Sequence, residues 1–269
     1  MPCAVQWSGS GQTVMPKIAV VAALEREVRG LIRDWRRVER EYEGRRFAFF
    51  ESGETVVVCG GIGPEAARRA AEAVIVLYRP ARVLSVGFAG ALDRSLQAGD
   101  LFVPSAVIDA RDGSRVFVEG VDSRNSLVTF MALAGAQQKK NLARAFGAKA
   151  VDMEAAAVAV AAAAHRIGFA ATKVISDELD FDMPEMARFI DGEGRFRTAG
   201  FLLFAGLRPW LWNRVLTLAR NSSRAGKVLA ARLRDLQPLR EDAKGEALSA
   251  SGSALPVTVT DGLSREGRK

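Results

Sequence analysis

Histidine is almost missing from this chain: 269 residues contain one, His165. Cysteine is nearly as scarce, with Cys3 and Cys59 alone. Two thiols cannot build a disulfide framework, and with a single imidazole they all but exclude a Cys/His zinc site, so a reducing, cytoplasmic setting is the expectation. A serine–histidine triad would have to use His165, just after an alanine run, and acid–base chemistry therefore falls to carboxylates. No segment offers about 18 uncharged apolar residues in a row, and the amino end lacks the charged start and apolar run of a secretory signal. Neither a membrane span nor export by that route is expected. What the chain does have is a hydrophobic fraction of 49% beside 26% charged residues, the balance of a folded globular protein. Its 38 Lys+Arg against 31 Asp+Glu leave a net charge of +7, which favours anionic partners without choosing among phosphate, lipid headgroups and nucleic acid. Most basic residues alternate with acids, and there is no zinc finger or aromatic RNA-binding string, so nucleic acid is not an expected partner.

Residues 1–15 are polar, small and without periodicity, and are set aside as an amino-terminal extension. Lys17 to Ala23 is a near-continuous apolar run that suits a parallel strand buried on both faces. Leu24 to Val38 follows with helical spacing, and Phe47 to Ser52 with Thr55 to Cys59 read as a hairpin around Gly53-Glu54. Gly60-Gly61-Ile62-Gly63-Pro64 leads into an alanine-rich helix, Glu65 to Tyr78, where a proline in the first turn costs nothing. Arg82 to Val86 is a strand expected to end at the glycine turn Gly87 to Gly90, and Asp100 to Ile108 is another. Leu127 to Leu133 is ambiguous. A helix is expected over Gln137 to Phe146, a strand over Ala148 to Val151, a helix over Glu154 to His165 and a last strand over Phe169 to Ile175. Arg197 to Leu233 carries two further helical patterns. Such alternation implies one α/β domain over 16–235, a central mixed, mainly parallel sheet flanked by helices, with ligands gathering at strand carboxyl ends. From 236 to 269 the composition is that of a disordered tail.

Three carboxylates fall at carboxyl ends of expected strands: Glu25, Glu154 and Asp177. Cleavage of a bond between a sugar and a base needs an acid for the leaving base, a base for the nucleophile and a holder for the sugar hydroxyls, and three carboxyl groups fill those roles. The alternative is structural: Glu25 and Glu154 as first-turn residues favoured by the helix dipole, Asp177 as a helix cap.

Six strings in order weigh against the structural alternative. They are Ala22-Ala23-Leu24-Glu25-Arg26-Glu27-Val28, Gly60-Gly61-Ile62-Gly63, Val86-Gly87-Phe88-Ala89-Gly90, Ala98-Gly99-Asp100, Val151-Asp152-Met153-Glu154-Ala155 and Ile175-Ser176-Asp177. Together, over about residues 16 to 182, they resemble the purine nucleoside phosphorylase and nucleosidase superfamily, above all the nucleosidases acting on methylthioadenosine and adenosylhomocysteine. The resemblance implies Asp177 as general acid at purine N7, placed by Ser176, and Glu154 on the ribose 2′- and 3′-hydroxyls with Met153 against the sugar. It implies Glu25 as the carboxylate that activates water, and Ala89, Gly90 and Ile62 among the residues lining the substrate. It calls for no metal or organic cofactor and for subunit association. Asp177 must hold or recover a proton near neutral pH, which calls for burial or neighbouring carboxylates.

Phosphorylases of the superfamily carry an Arg-Val-Gly-Ser string around phosphate; here Ser85-Val86-Gly87-Phe88 stands in its place, without the arginine or the terminal serine. Backbone N–H groups at Gly61 and Gly63, with Arg26 and Arg29, are what remains for an anion. Water is the expected nucleophile; phosphorolysis and a non-catalytic nucleoside-binding protein are the alternatives. Lys173 replaces an arginine found four positions before the terminal Asp in the nucleosidases, and no counterpart of their base-stacking phenylalanine loop is evident. Phe130, Phe181 and Phe189 could each supply a ring or sit in the core. Gly200 to Arg220 mixes aromatics and aliphatics with Arg208, Arg214 and Arg220, as a membrane-interface segment does and as a helix pair packed on the sheet or a partner subunit also does. The chain is also compatible with the hopanoid-associated branch, whose members remove adenine from adenosylhopane.

Overall fold

The computed structural model describes residues 18–118, 121 and 124–235. The extension expected over 1–15 and the tail expected from 236 lie outside the described residues. The sheet is built around β1 (Ile18–Ala22), which pairs in parallel with β4 (Thr55–Cys59) and with β5 (Arg82–Ala91). Ala19 to Ala22 are all buried, so β1 is continuously apolar where a half-exposed strand would alternate. Beyond β4 lie β3 (Arg45–Ser52) and β2 (Arg36–Tyr42), both antiparallel. On the other flank of β5 come β10 (Ala150–Asp152), β9 (Ser126–Thr129), β7 (Ala106–Asp109) and β8 (Arg115–Phe117). The ten-residue β5 also pairs in parallel with β11 (Gly168–Asp177), which takes β6 (Leu101–Phe102) as an antiparallel partner. The result is a mixed sheet flanked by helices, the α/β class expected from the alternation of elements.

The helices are α1 (Glu25–Ile32), α2 (Pro64–Tyr78), α3 (Ala136–Phe146), α4 (Ala155–Ala164), α5 (Thr198–Gly206) and α6 (Trp212–Asp235), with single 3-10 turns at Pro184–Phe189 and Pro209–Leu211. Alanines on α2 and α4 (Ala67, Ala70, Ala71, Ala157, Ala161) let the two helices lie close over Val21, Val56 and Val83 of the sheet.

Three elements differ from expectation. The helix expected to run to Val38 stops at Ile32, and Arg36–Tyr42 is a strand. Glu43 and Gly44, with φ of 49° and 73°, turn it back onto β3 as a tight hairpin. This strand lies at the end of the strand order and is mostly exposed, so it carries charges where an inner strand would carry valines. The strand expected to end at Gly87 continues through the glycines to Ala91, with Gly87 at φ 144°. The single strand expected over Asp100 to Ile108 is two, β6 and β7. Among the described residues, no helix is long and apolar enough to cross a membrane.

Candidate active site

The carboxyl ends of β1, β5, β10 and β11 and the segments that follow them contribute to one cavity of about 600 Å³, within the roughly 300–1,000 Å³ of small-ligand sites. Of the expected residues, Asp177, Glu154, Met153, Ser176, Ala89, Gly90 and Ile62 all line it. Glu25 does not: its side chain is exposed, and Glu27 lines the cavity instead. Successive residues on a helix are rotated by about 100°, so positions 25 and 27 look to nearly opposite sides of α1. The buried stripe is Glu27, Val28, Leu31 and Ile32, and its apolar spacing already marks Glu27 as facing inward. Glu27 Oε2 accepts the Leu24 N–H at 3.2 Å, tying the carboxylate to the start of the helix. A Cβ on Gly87 would come within 3.0 Å of the same oxygen, so only glycine lets β5 pass this close. Burial raises the Glu27 carboxyl above the ordinary carboxylate range, against the Leu24 hydrogen bond and the charges of Lys173 and Arg26.

Glu154 sits between β10 and α4. Its Oε1 accepts the Gly63 N–H at 2.9 Å and its Oε2 the Met153 N–H at 3.3 Å. Burial, with the charges of Asp152 and Glu27 adding to it and Lys173 opposing, raises its pKa to about 7. Asp152 and Lys173 form a wholly buried ion pair of 2.8 Å, both side chains at 0% exposure. The Asp152 oxygens also accept from Thr129 Oγ1 at 2.6 Å and from the Ala155 N–H at 2.8 Å, and the ammonium reaches Ser85 Oγ at 3.2 Å. Burial alone would discharge Lys173, but Asp152, Glu154 and Glu27 more than offset it and hold its pKa above the ordinary lysine value. One ammonium thus serves a cluster of three carboxylates, and the deficit is met by a proton, for which Glu154 has the affinity.

Asp177 ends β11 at a bulge, where Ile175 pairs with Ala89 but Asp177 with Gly90. Ser176 Oγ donates to Asp177 Oδ1 at 2.6 Å, and Lys139 Nζ donates to Oδ2. Gly90 is small for this contact: a Cβ there would lie 3.0 Å from Asp177 Oδ2 and 3.1 Å from Lys139 Cε. The expected neighbouring carboxylates are not what surrounds this acid; a buried lysine is. Lys139, 1% exposed, also donates to the Glu178 carbonyl at 2.6 Å. Its inward place is readable from Leu142, three residues on, which is buried on the same face of α3.

The glycine-loop N–H groups that remained for an anion are already bonded within the chain. The Gly61 N–H donates to the Ala23 carbonyl at 2.9 Å, Ile62 N–H to the Gly194 carbonyl at 2.7 Å, and Gly63 N–H to Glu154. Arg26 and Lys139 are the cations lining the cavity; Arg26 lies over the Phe196 ring at 5.3 Å, and Arg29 is not among the lining residues. Phe88 lines the cavity, and so does Phe181, whereas Phe130 packs with Ile108, Val128 and Leu142, and Phe189 stacks edgewise on Phe201 and Phe204. The remaining wall comes from 183–222 and is apolar: Met183, Met186, Ile190, Phe196, Phe201 and Leu218. Among the described residues no group of three His, Cys, Asp or Glu side chains is placed to hold a metal ion.

The structure resembles the methylthioadenosine nucleosidase of Arabidopsis thaliana (TM-score 0.62, 17% identity, covering 83% of this chain and 97% of that one). It also resembles the futalosine hydrolase of Helicobacter pylori (TM-score 0.58, 18%, 82% and 98%). A third likeness is the methylthioadenosine/adenosylhomocysteine nucleosidase of Colwellia psychrerythraea solved with adenine (TM-score 0.53, 23%, 62% and 85%). No curated protein matches the chain. The model of the phosphorylase superfamily matches residues 17–134 and 128–200, the span that carries every carboxylate of the cavity, and the chain belongs to the phosphorylase superfamily of enzymes.

Proposed function

We propose that the chain hydrolyses the N-glycosidic bond of a purine nucleoside, releasing adenine from an adenosine with an apolar 5′ substituent. The observation that carries this reading is the convergence of Glu27, Glu154 and Asp177, from three separate strand ends, on one cavity. The similar structures support adenosine derivatives as the class: one is solved with adenine, and another is named for methylthioadenosine.

In this reading Glu154 accepts hydrogen bonds from the ribose 2′- and 3′-hydroxyls, with Met153 against the sugar. Asp177, whose resting carboxylate is paired with Lys139, first takes up a proton from solvent and passes it to N7 as the bond from C1′ to N9 breaks; the Lys139 ammonium then pairs again with the carboxylate left behind. Glu27 takes a proton from water, whose oxygen bonds to C1′ as positive charge develops on the ring. The Glu27 carboxylate places negative charge beside that ring, where it favours the oxocarbenium-like transition state over the neutral substrate. Protons return from Glu27 to Asp177 through solvent after product leaves. Water is favoured over phosphate because the glycine-loop N–H groups are spent internally and Lys139 is committed to Asp177. The apolar wall of Met183, Met186, Phe196 and Phe201 supports a hydrocarbon or thioether at the 5′ position.

Incubation with adenosine, methylthioadenosine, adenosylhomocysteine and an alkylated 5′-deoxyadenosine, followed by chromatography, tests the proposal. Released adenine is the expected result, faster with the apolar 5′ groups. Folded protein that releases no base from any of them contradicts it.

A further inference from the structure

Charge is spread unevenly along this sequence. From Arg195 to Leu233 there are seven arginines and one lysine and not one carboxylate, although the whole chain nets only +7. The same stretch holds the densest run of exposed large apolar side chains among the described residues. Leu203, Leu207 and Trp210 are 70%, 72% and 73% exposed, with Trp212 and Leu216 half exposed beside them. The segment is built, not loose: Trp212 Nε1 donates to the Ala205 carbonyl at 3.0 Å, and Arg208 lies 3.8 Å over the Phe204 ring while donating to the Phe204 carbonyl at 3.0 Å. Leu211, Ala225 and Leu229 anchor it inward. On the outer side of α6, a shallow groove is lined by Leu216 and Val228 together with Arg220, Arg224 and Lys227. Ala219 lines both this groove and the active-site cavity.

We propose that α5 and α6 as far as Val228 form a docking face for an anionic lipid bilayer, which the protein touches without crossing. Exposed tryptophan and leucine beside arginine, with no acid to repel headgroup phosphates, is the composition of an interfacial segment. Two tryptophans suit the boundary in particular, because an amphipathic ring is stable at headgroup depth. The arginines choose the membrane's charge and the apolar side chains supply insertion, so neither component alone suffices. A consequence for the enzyme follows from Ala219 and Leu202, which belong both to the cavity wall and to the exposed segment: the bound bilayer would lie at the cavity's apolar side. A second copy of this chain covering the same face would bury the apolar groups but would set arginines against arginines.

Co-sedimentation of the full chain with phosphatidylcholine vesicles, with and without phosphatidylglycerol, tests this. Binding to the phosphatidylglycerol vesicles that weakens with added salt is expected. The combined variant Arg220→Gln, Arg224→Gln, Lys227→Gln should lower partitioning on the order of a hundredfold, at about fivefold per cation near the surface. Leu203→Ser with Trp210→Ser should lower it comparably; all five positions are outside the carboxylate cluster, so release of adenine from soluble nucleosides should be unchanged. Equal binding to both vesicle types, no binding to either, or a Leu203→Ser, Trp210→Ser variant that instead dissociates a dimer by analytical ultracentrifugation overturns the proposal.

Discussion

Replacing Glu154 with glutamine should make the ligand-free protein more stable in alkaline solution, although the residue sits in the candidate site. Its folded-state pKa is about 7, raised by burial and by the charge of Asp152, against an ordinary 4.5. A group raised on folding stabilises the native state while it is protonated in both states; that contribution is complete below about pH 4.5 and is lost as pH rises through about 7. The gap of 7 − 4.5 = 2.5 units, at about 1.4 kcal/mol per unit, sets a ceiling near 3 kcal/mol, and coupling to Lys173 and Asp152 makes about 2 kcal/mol the working figure. Glutamine keeps an oxygen for the Gly63 N–H and carries no charge at any pH. Denaturant unfolding of both proteins across neutral pH should show the variant gaining on the parent as pH rises, by about 2 kcal/mol over the interval. A difference between the two proteins that stays flat with pH would refute the account of the buried charge cluster.

Other substitutions separate the roles at the site. Glu27→Gln should lower kcat on the order of a hundredfold or more, the usual loss on removing a general base, whereas Glu25→Gln should leave it within about twofold; steady-state rates of adenine release measure both. Lys139→Met should leave the affinity for a nonreacting nucleoside within about threefold but lower kcat at least about tenfold, because the carboxylate left by proton transfer loses its cation. Urea unfolding should register the same change as a loss of about 2 kcal/mol, less than a fully buried pair because the Asp177 side chain is 21% exposed. Gly90→Ala puts a methyl within 3.0 Å of Asp177 Oδ2, and should cost about 1–3 kcal/mol of stability together with turnover, read by thermal unfolding and the same rate assay.

Strands buried on both faces were legible where apolar or small residues run on without a turn signal, as in Ile18–Ala22 and Gly168–Asp177, whereas the glycines from Gly87 hid the second half of Arg82–Ala91. The edge strand Arg36–Tyr42 was not, since its solvent exposure permits an alternation of charges that reads equally as the end of a helix. At the site, glycine strings and strand ends pointed to Glu154, Asp177 and their neighbours, which line one cavity because topology alone brings those positions to one rim. The choice between Glu25 and Glu27 needed the phase of α1, which Val28, Leu31 and Ile32 supply. Lys139 stayed hidden for a different reason. Its partner is 38 residues away, and beside Lys140 it looks like part of a solvated helix face. The apolar wall over 183–222 comes from a 3-10 turn, loops and two helices without a shared period, so only the packed chain shows that its side chains meet.

The identity of the sugar product tests the central claim most directly. With methylthioadenosine as substrate and inorganic phosphate in excess, phosphorus and carbon NMR of the reaction should show adenine beside the free methylthio-sugar and unchanged phosphate. Accumulation of a sugar 1-phosphate would contradict it, since the glycine-loop N–H groups and Lys139 would then have to be released from Ala23, Gly194, Glu154 and Asp177 to hold an anion.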